Sequence, residues 1–288
     1  MAKSPAAQAS PVDLTGKTML VTGASPGSLG FETARALASW GADVVVSTRS
    51  NTGRAVEALG SGSGHELELS DRDSVRRFAD WFRGRHERLD ALVNNAGIHL
   101  DLRSRWKQPQ LVDGHEIHWR TNYLGTVQLT HELLPLLKAT EHARVVNVVS
   151  KLHSRGRNEF LFAPITPYNS WVAYGTSKLA LIHAGNELNR REGIAAYSLH
   201  PGSVYTHIAD RGLDGHRLLA ALRRVAAPIE RRALLTAEQG AQTSLHCATA
   251  PVPPGYYRAC RSADPSADAQ TAAVAARLWD QTQVWLAG

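Results

Sequence analysis

Tyr174 and Lys178 stand four residues apart in the segment Tyr174-Gly175-Thr176-Ser177-Lys178. Four residues is slightly over one helical turn, so on a helix both side chains project from one face. A phenol holds its proton to about pH 10. A neighbouring ammonium favours the phenolate, which predicts a Tyr174 able to give or take a proton nearer neutrality. The same spacing arises often by chance, and a surface helix that happens to carry both residues is the competing account. The surrounding elements decide between them.

A second segment with chemical potential is Thr22-Gly23-Ala24-Ser25-Pro26-Gly27-Ser28-Leu29-Gly30. It separates a strand-like apolar run, residues 18–22, from a helix-like stretch, residues 31–40, that Gly41 stops. Gly23, Gly27 and Gly30 let the backbone turn sharply and approach a pyrophosphate, with Ser25, Ser28 and Leu29 in the same turn. The phosphate would then meet the free N–H groups and positive dipole end of the helix. Glycine in a turn is weak evidence alone; between a first strand and a first helix it is stronger. The next strand, residues 44–46, leads into Ser47-Thr48-Arg49. An acidic residue there would bond the ribose hydroxyls of NAD, whereas Arg49 suits a 2′-phosphate. NADP(H) is the expected cofactor, ahead of NAD(H).

These segments need a frame. Strand-like runs alternate with helix-like stretches from end to end, which predicts an α/β fold: a Rossmann-type doubly wound parallel sheet with helices on both faces. Residues 66–69, 89–93, 144–149 and 194–199 read as the third to sixth strands, and a short strand lies near Tyr256. Residues 60–64 read as a Ser/Gly linker. Ser70 and Asp73 read as a capping pair before the stripe Val75, Phe78, Ala79, Phe82. A long helix is expected over residues 111–138, kinked or ended by Pro135, and another over 172–191 carrying Tyr174 and Lys178. Thr236 and Gln239 cap a later helix, and a final helix ends near Trp285. One domain is expected over residues 14–288, after a mobile Ala/Ser/Pro-rich tail at 1–13, with a substrate lid around 203–235.

Composition narrows the function. At 288 residues and 43% hydrophobic the chain can bury one large core. No 18-residue apolar stretch reads as a membrane span, and the N-terminus lacks the apolar centre of a secretory signal. Two cysteines, Cys247 and Cys260, exclude a disulfide framework and fit a reducing, cytoplasmic setting. The net charge of +6 is spread along the chain without nucleic-acid-binding motifs, so it suits phosphorylated cofactors better than nucleic acid. Of the 32 basic residues 26 are arginine, a bias associated with GC-rich bacterial genomes.

Taken in order, the glycine turn, Asn94-Asn95-Ala96-Gly97, Asn122, Ser150, the Tyr174/Lys178 pair and Pro201-Gly202 resemble the short-chain dehydrogenase/reductase family, single-domain type, over nearly the whole chain. Phe31-Glu32-Thr33-Ala34-Arg35, Thr121-Asn122-Tyr123-Leu124-Gly125, Ser177-Lys178-Leu179-Ala180 and Arg277-Leu278-Trp279 resemble its retinol-dehydrogenase-like branch. So does the long insert between Ser150 and Tyr174. The resemblance implies four catalytic side chains. Ser150 orients the substrate oxygen, and Tyr174 exchanges the proton. Lys178 lowers the Tyr174 pKa and binds the nicotinamide ribose. Asn122 kinks its helix and helps hold a water that relays protons. It also implies cofactor contacts from Asn95, Ala96 and Gly97, from Glu68 and Leu69, and from Pro201, Gly202, Val204 and Thr206. Hydride would pass directly between nicotinamide and substrate.

Three departures from the family pattern stand out. One extra residue lies between Gly27 and Gly30, Val149 replaces a frequent serine, and Glu68 replaces a frequent aspartate. Phe160, Phe162, Tyr168 and Trp171, with Pro164 and Pro167, predict an apolar pocket for a bulky carbonyl compound. Arg211, Arg217, Arg223, Arg224, Arg231 and Arg232 read as solvated faces of the lid, or as a grip on an acidic substrate. His99, His153 and His207 lie near the predicted mouth, without metal-ligand spacing. The expected activity is NADP(H)-dependent interconversion of a ketone or aldehyde and an alcohol, by family analogy in secondary-metabolite tailoring. The alternatives are reduction of a carbon–carbon double bond and a non-catalytic dinucleotide sensor on the same fold. The family also pairs subunits through its two long helices, here 111–138 and 172–191, which implies a homo-oligomer.

Overall fold

A computed structural model of the chain describes residues 8–204 and 234–287. They form an eight-stranded sheet ordered β10-β9-β8-β7-β4-β1-β2-β3. Its strands are β1 (Thr18–Thr22), β2 (Asp43–Thr48), β3 (Ser63–Glu66), β4 (Ala91–Asn94), β7 (Arg144–Val148), β8 (Ala195–His200), β9 (Gly255–Arg258) and β10 (Arg261–Ser262). All neighbours run parallel except the edge pair β9/β10. Successive strand side chains point to opposite faces, and the core divides accordingly. Met19, Val21, Val44, Val46, Ala91 and Val93 pack on one face with Leu29, Ala34 and Leu37 of α1 (Leu29–Ser39), Ala55 of α2 (Thr52–Leu59) and Leu245 of α7 (Ala237–Thr249). Leu20, Val45, Leu92 and Val145 pack on the other with Val75, Phe78 and Phe82 of α3 (Arg72–Arg83). Both faces are covered, as a parallel sheet requires. No helix among the described residues is long and apolar enough to cross a membrane.

The order reverses between β1 and β4, where connections leave in opposite directions and open a crevice at the strands' carboxyl ends. The glycine turn and Asn95-Ala96-Gly97 both empty into it.

Several expected boundaries move. The third strand is 63–66, not 66–69, and the supposed linker supplies half of it. Side chains on Gly62 and Gly64 would lie 2.2 Å from the Val44 carbonyl oxygen and 2.7 Å from that of Val46, so glycine lets this edge strand sit tight against β2. The helix after it is capped by Asp71, which accepts from the Asp73 N–H, while Ser70 donates its hydroxyl to Glu68. The expected helix over 111–138 is a composite. Residues 111–116 form a small hairpin, β5 (Leu111–Val112) with β6 (His115–Glu116), followed by a π-helical turn over Trp119–Leu124, α4 (Gly125–Glu132) and α5 (Leu134–Ala139). Asp113 and Gly114 adopt positive φ (53° and 72°), which makes the hairpin turn. Pro135 falls at the start of α5, where its missing N–H costs nothing.

The helix bearing Tyr174 and Lys178 is α6 (Ser170–Glu187), ending in a second π turn, Leu188–Glu192. It is buried on nearly every side, and α8 (Ala272–Ala287) lies along it. α8 thus packs on one of the two helices expected to pair subunits. Part of the expected tail lies within the described residues. The Ala9 N–H donates to the Gln242 side chain of α7, and Asp13 accepts from Thr15. The expected lid lies almost wholly outside the described residues.

Candidate active site

β7 ends at Val148, and Ser150 two residues on caps a 3-10 turn, its hydroxyl accepting from the Leu152 N–H at 3.2 Å. That turn is fixed by His153, whose Nδ1 meets the Ser150 carbonyl oxygen at 2.7 Å while its Nε2 accepts from the Ser266 N–H. Tyr174, buried in α6, stands near enough to Ser150 for that hydroxyl to lower its pKa. Lys178, one turn further, is also buried. Its Nζ lies 5.8 Å from the Tyr174 ring centroid and donates to the Val148 carbonyl oxygen at 3.2 Å.

Asn122 completes the group from the π-helical turn, whose extra backbone residue re-aims side chains at functional sites. Its amide brackets Ile98, accepting from the N–H at 2.7 Å and donating to the carbonyl at 2.9 Å. It also donates to the Ser177 hydroxyl. A Cβ added to Gly97 would lie 3.1 Å from Lys178 Nζ and 3.2 Å from Asn122 Oδ1, so the loop after β4 passes directly over both. The four side chains thus converge from three separate elements, the turn after β7, α6 and the π-helical turn.

Electrostatics here differ from the simple expectation of a Lys178-depressed phenol. Burial pushes the Tyr174 phenol up to about 12, with the Ser150 hydrogen bond pulling the other way. Burial also holds the Lys178 ammonium down to about 8. Both groups are dehydrated, and desolvation disfavours the charged form of each.

A matching family model, described as short chain dehydrogenase, covers residues 17–214. Retinol dehydrogenase 12 of Bos taurus is 36% identical over 285 residues, spanning 93% of this chain and 86% of the relative. Retinol dehydrogenase 11 of Homo sapiens is also 36% identical, over 94% of this chain and 86% of its own length. A crystal structure of an uncharacterised protein from Mycobacterium paratuberculosis superimposes with a TM-score of 0.72 at 31% identity, covering 96% of this chain and 95% of that one. The chain is a short-chain dehydrogenase/reductase. Like its relatives it is retinol-dehydrogenase-like, an NAD(P)-dependent oxidoreductase of alcohols and carbonyls acting on a small molecule.

In this short-chain dehydrogenase the crevice beside β1 and β4 encloses about 270 Å³. Of the residues expected to touch a cofactor, Gly23, Ser25, Ser28, Leu29, Arg49, Glu68, Leu69, Asn95, Ala96 and Gly97 line it; Gly27, Gly30, Tyr174, Lys178, Pro201, Gly202 and Val204 are not among its lining residues. Gly30 shapes the wall from behind. A Cβ there would lie 2.3 Å from Asn95 Nδ2 and 2.8 Å from the Gly23 carbonyl oxygen. Asn95 donates to the carbonyls of Thr22 and Gly23, tying the turn to the end of β4. Its neighbour Asn94 instead ties β4 to Asn147 of β7.

The extra residue of the glycine turn is absorbed at Gly27, in the left-handed region at φ 80°. Ser28 then caps α1 through the Phe31 N–H, leaving the Leu29 and Gly30 N–H groups without intrahelical acceptors. Such donors at a helix start, beside a backbone that tolerates no added Cβ, fit a pyrophosphate. Glu68 does not offer a free carboxylate. One oxygen accepts from the Ser70 N–H and hydroxyl, and the other faces Arg49 Nε at 4.0 Å.

Beyond β8, Val204 bridges to Leu235, and Gly202, at φ 92°, packs under the Leu235 side chain. Thr206, His207 and the six lid arginines lie outside the described residues. The aromatic insert divides in two. Trp171 turns inward, 4.6 Å from the His99 ring and bonded through Nε1 to the Leu102 carbonyl. Phe160, Phe162, Pro164, Pro167 and Tyr168 instead line a separate cavity of about 1020 Å³, with Trp119 and with Trp285 of α8. Ala173 and Thr176 line that cavity from α6, on flanks turned away from Tyr174. Most of the predicted aromatic pocket therefore does not surround the Tyr174 hydroxyl. No His/Cys/Asp/Glu cluster suited to a metal occurs among the described residues.

Sequence reasoning missed the supporting residues Glu116 and His118. His118 accepts from the Leu100 N–H through Nε2, so its Nδ1 carries the proton toward Glu116, 2.7 Å away. Tyr168 donates to the same Glu116 oxygen at 3.0 Å. Their spacing, Glu-x-His beside a turn, carries no recognisable signal without the hairpin that folds them inward.

Proposed function

We propose that this enzyme is NADP(H)-dependent and interconverts a hydrophobic aldehyde or ketone and its alcohol, with Ser150, Tyr174, Lys178 and Asn122 as its machinery. The observation that carries this reading is the convergence of these four side chains beside the crevice, with Ser150, Asn122 and Lys178 hydrogen-bonded into place and Tyr174 buried. The cofactor, when bound, supplies or accepts the hydride. In the reductive direction, Ser150 and Tyr174 hold the carbonyl oxygen by hydrogen bonds. Tyr174 gives its proton to that oxygen as negative charge develops there. The phenolate so formed is stabilised by the nearby Lys178 ammonium, and a proton returned through Lys178 restores it. Oxidation runs the same transfers backwards.

A buried phenol at about 12 is protonated at neutral pH, the form that the reductive direction uses. Asn122 holds Ile98 by both backbone groups, and so holds the Gly97 loop over Lys178. Gly23, Ser25, Ser28 and Leu29 would receive the pyrophosphate, and Arg49 the 2′-phosphate. Support for NADP(H) comes from Arg49 at the end of β2, where Ser47 and Thr48 offer no carboxylate to ribose hydroxyls.

Retinal and cinnamaldehyde test this, because each carries an aldehyde conjugated to a carbon–carbon double bond. Incubation with NADPH should yield the unsaturated alcohols. Saturated aldehydes would establish double-bond reduction instead, and the absence of NADPH oxidation across a wider carbonyl panel would favour a dinucleotide sensor.

A further inference from the structure

His99 follows the Asn94-Asn95-Ala96-Gly97 turn by two residues and lines the crevice. Its imidazole lies nearly flat on the Tyr174 ring, with centroids 4.1 Å apart and planes 12° from parallel. Trp171 closes on the imidazole almost perpendicularly, at 4.6 Å and 88°. The Trp171 indole is itself anchored to Leu102, and the adjacent Ser170 hydroxyl donates to the Asp101 carbonyl. The loop after β4 is thus fastened to the start of α6 on either side of the stack. Two aromatic faces at this separation attract each other and resist rotation of either ring. Nothing in the site as proposed above assigns His99 a task.

We propose that His99 is a positioning residue for Tyr174: its stacked ring fixes the plane of the phenol, aims the hydroxyl at Ser150, and keeps water off the ring face. The inference rests on Tyr174 being the proton donor, but the stacking itself does not. His99 acts as an uncharged plate. It is 5% exposed, and burial depresses its pKa to about 3, so it carries no charge at working pH. Its Nε2 is buried without a hydrogen-bond partner among the described residues. Phenylalanine would supply the same plate without an unpaired nitrogen, which is costly to bury.

The groups that bear on the Tyr174 phenol come from each neighbouring element. Lys178 lies on its own helix, Ser150 lies beyond β7, His99 lies in the loop after β4, and His118 lies before the π turn, 6.3 Å from the ring. Of these, only His99 covers the ring face in a stack.

His99→Ala and His99→Phe separate the plate from the nitrogen. Turnover is measured with NADPH and whichever of retinal and cinnamaldehyde the parent reduces faster. The Tyr174 ionisation is read by ultraviolet difference spectra against the matching Tyr174→Phe chains, just after a pH jump and before alkaline unfolding. His99→Ala should lower kcat by about tenfold or more, the scale on which misplaced reacting groups act. It should also lower the pH at which Tyr174 ionises by about one, as water reaches the ring. NADPH affinity should hold. His99→Phe should restore kcat to within about threefold of the parent, restore the ionisation, and melt no lower than the parent. The proposal is overturned if His99→Ala changes neither quantity, or if His99→Phe is as impaired as His99→Ala. The spectroscopic arm uses no substrate, so it stands apart from failure of the proposed activity.

Discussion

Replacing Arg49 by alanine should separate the two nicotinamide cofactors. Arg49 leaves the end of β2 into the crevice with its side chain 55% exposed, and its nearest carboxylate, Glu68, is 4.0 Å away, beyond hydrogen-bond reach. The guanidinium is therefore only loosely engaged and has little to give up on meeting a phosphate. Hydrogen bonds to charged groups contribute about 1.5–3 kcal/mol. Solvent screening of a half-exposed pair reduces that to about 1 kcal/mol, or roughly fivefold in affinity at 1.4 kcal/mol per decade. Arg49→Ala should weaken NADPH by that factor and leave NADH within about twofold. Glu68→Gln keeps the acceptor for Ser70 but removes the competing charge, so it should strengthen NADPH alone. Titration of both cofactors against parent and both variants, at one ionic strength, checks this. Equal weakening of NADPH and NADH by Arg49→Ala would show that Arg49 supports the loop and reads no phosphate. A parent that binds NADH more tightly than NADPH would show that Arg49 does not select the 2′-phosphate.

Two further outcomes follow from packing and burial. Lys178 has a native pKa of about 8 against an ordinary value of 10.5, so between these pH values the unfolded chain carries a proton that the native state lacks. Stability should therefore rise with pH across that window, by at most about 3 kcal/mol for this group. Lys178→Met should remove the rise, seen as the difference between parent and variant urea curves at pH 8 and 10. Gly30→Ala drives a methyl into the Asn95 amide, which is held by the Thr22 and Gly23 carbonyls, and into the Gly23 backbone oxygen, which cannot yield. It should cost about 1–3 kcal/mol of stability and weaken both cofactors more than tenfold, measured by urea unfolding and cofactor titration.

The sheet was legible because strands buried on both faces read as short apolar runs between periodic helices, and Val44-Val45-Val46 or Thr18–Thr22 admit little else. The candidate site was legible because Tyr174, Lys178, Ser150 and Asn122 stand in the family's order, and the fold brings all four together. What stayed hidden depends on contacts distant in sequence. Gly62 and Gly64 look like a linker until β2 lies against them. Residues 111–116 look helical by composition until Asp113 and Gly114 turn left-handed. The low value for Lys178 and the high one for Tyr174 arise from burial, which no spacing rule reports. The stack of His99 on Tyr174 joins residues 75 positions apart, and a lone histidine after a turn gives no hint of it.

The central claim is that the Tyr174 hydroxyl moves the proton. Tyr174→Phe deletes that hydroxyl and keeps the ring, so the stack on His99 and the packing of α6 should persist. Steady-state turnover of the parent's best carbonyl substrate, measured beside NADPH affinity and the melting curve, is the direct test. kcat should fall by about 10²-fold or more, the scale of general acid catalysis, with NADPH affinity and folding unchanged. A variant that folds, binds NADPH and turns over within about tenfold of the parent would contradict it.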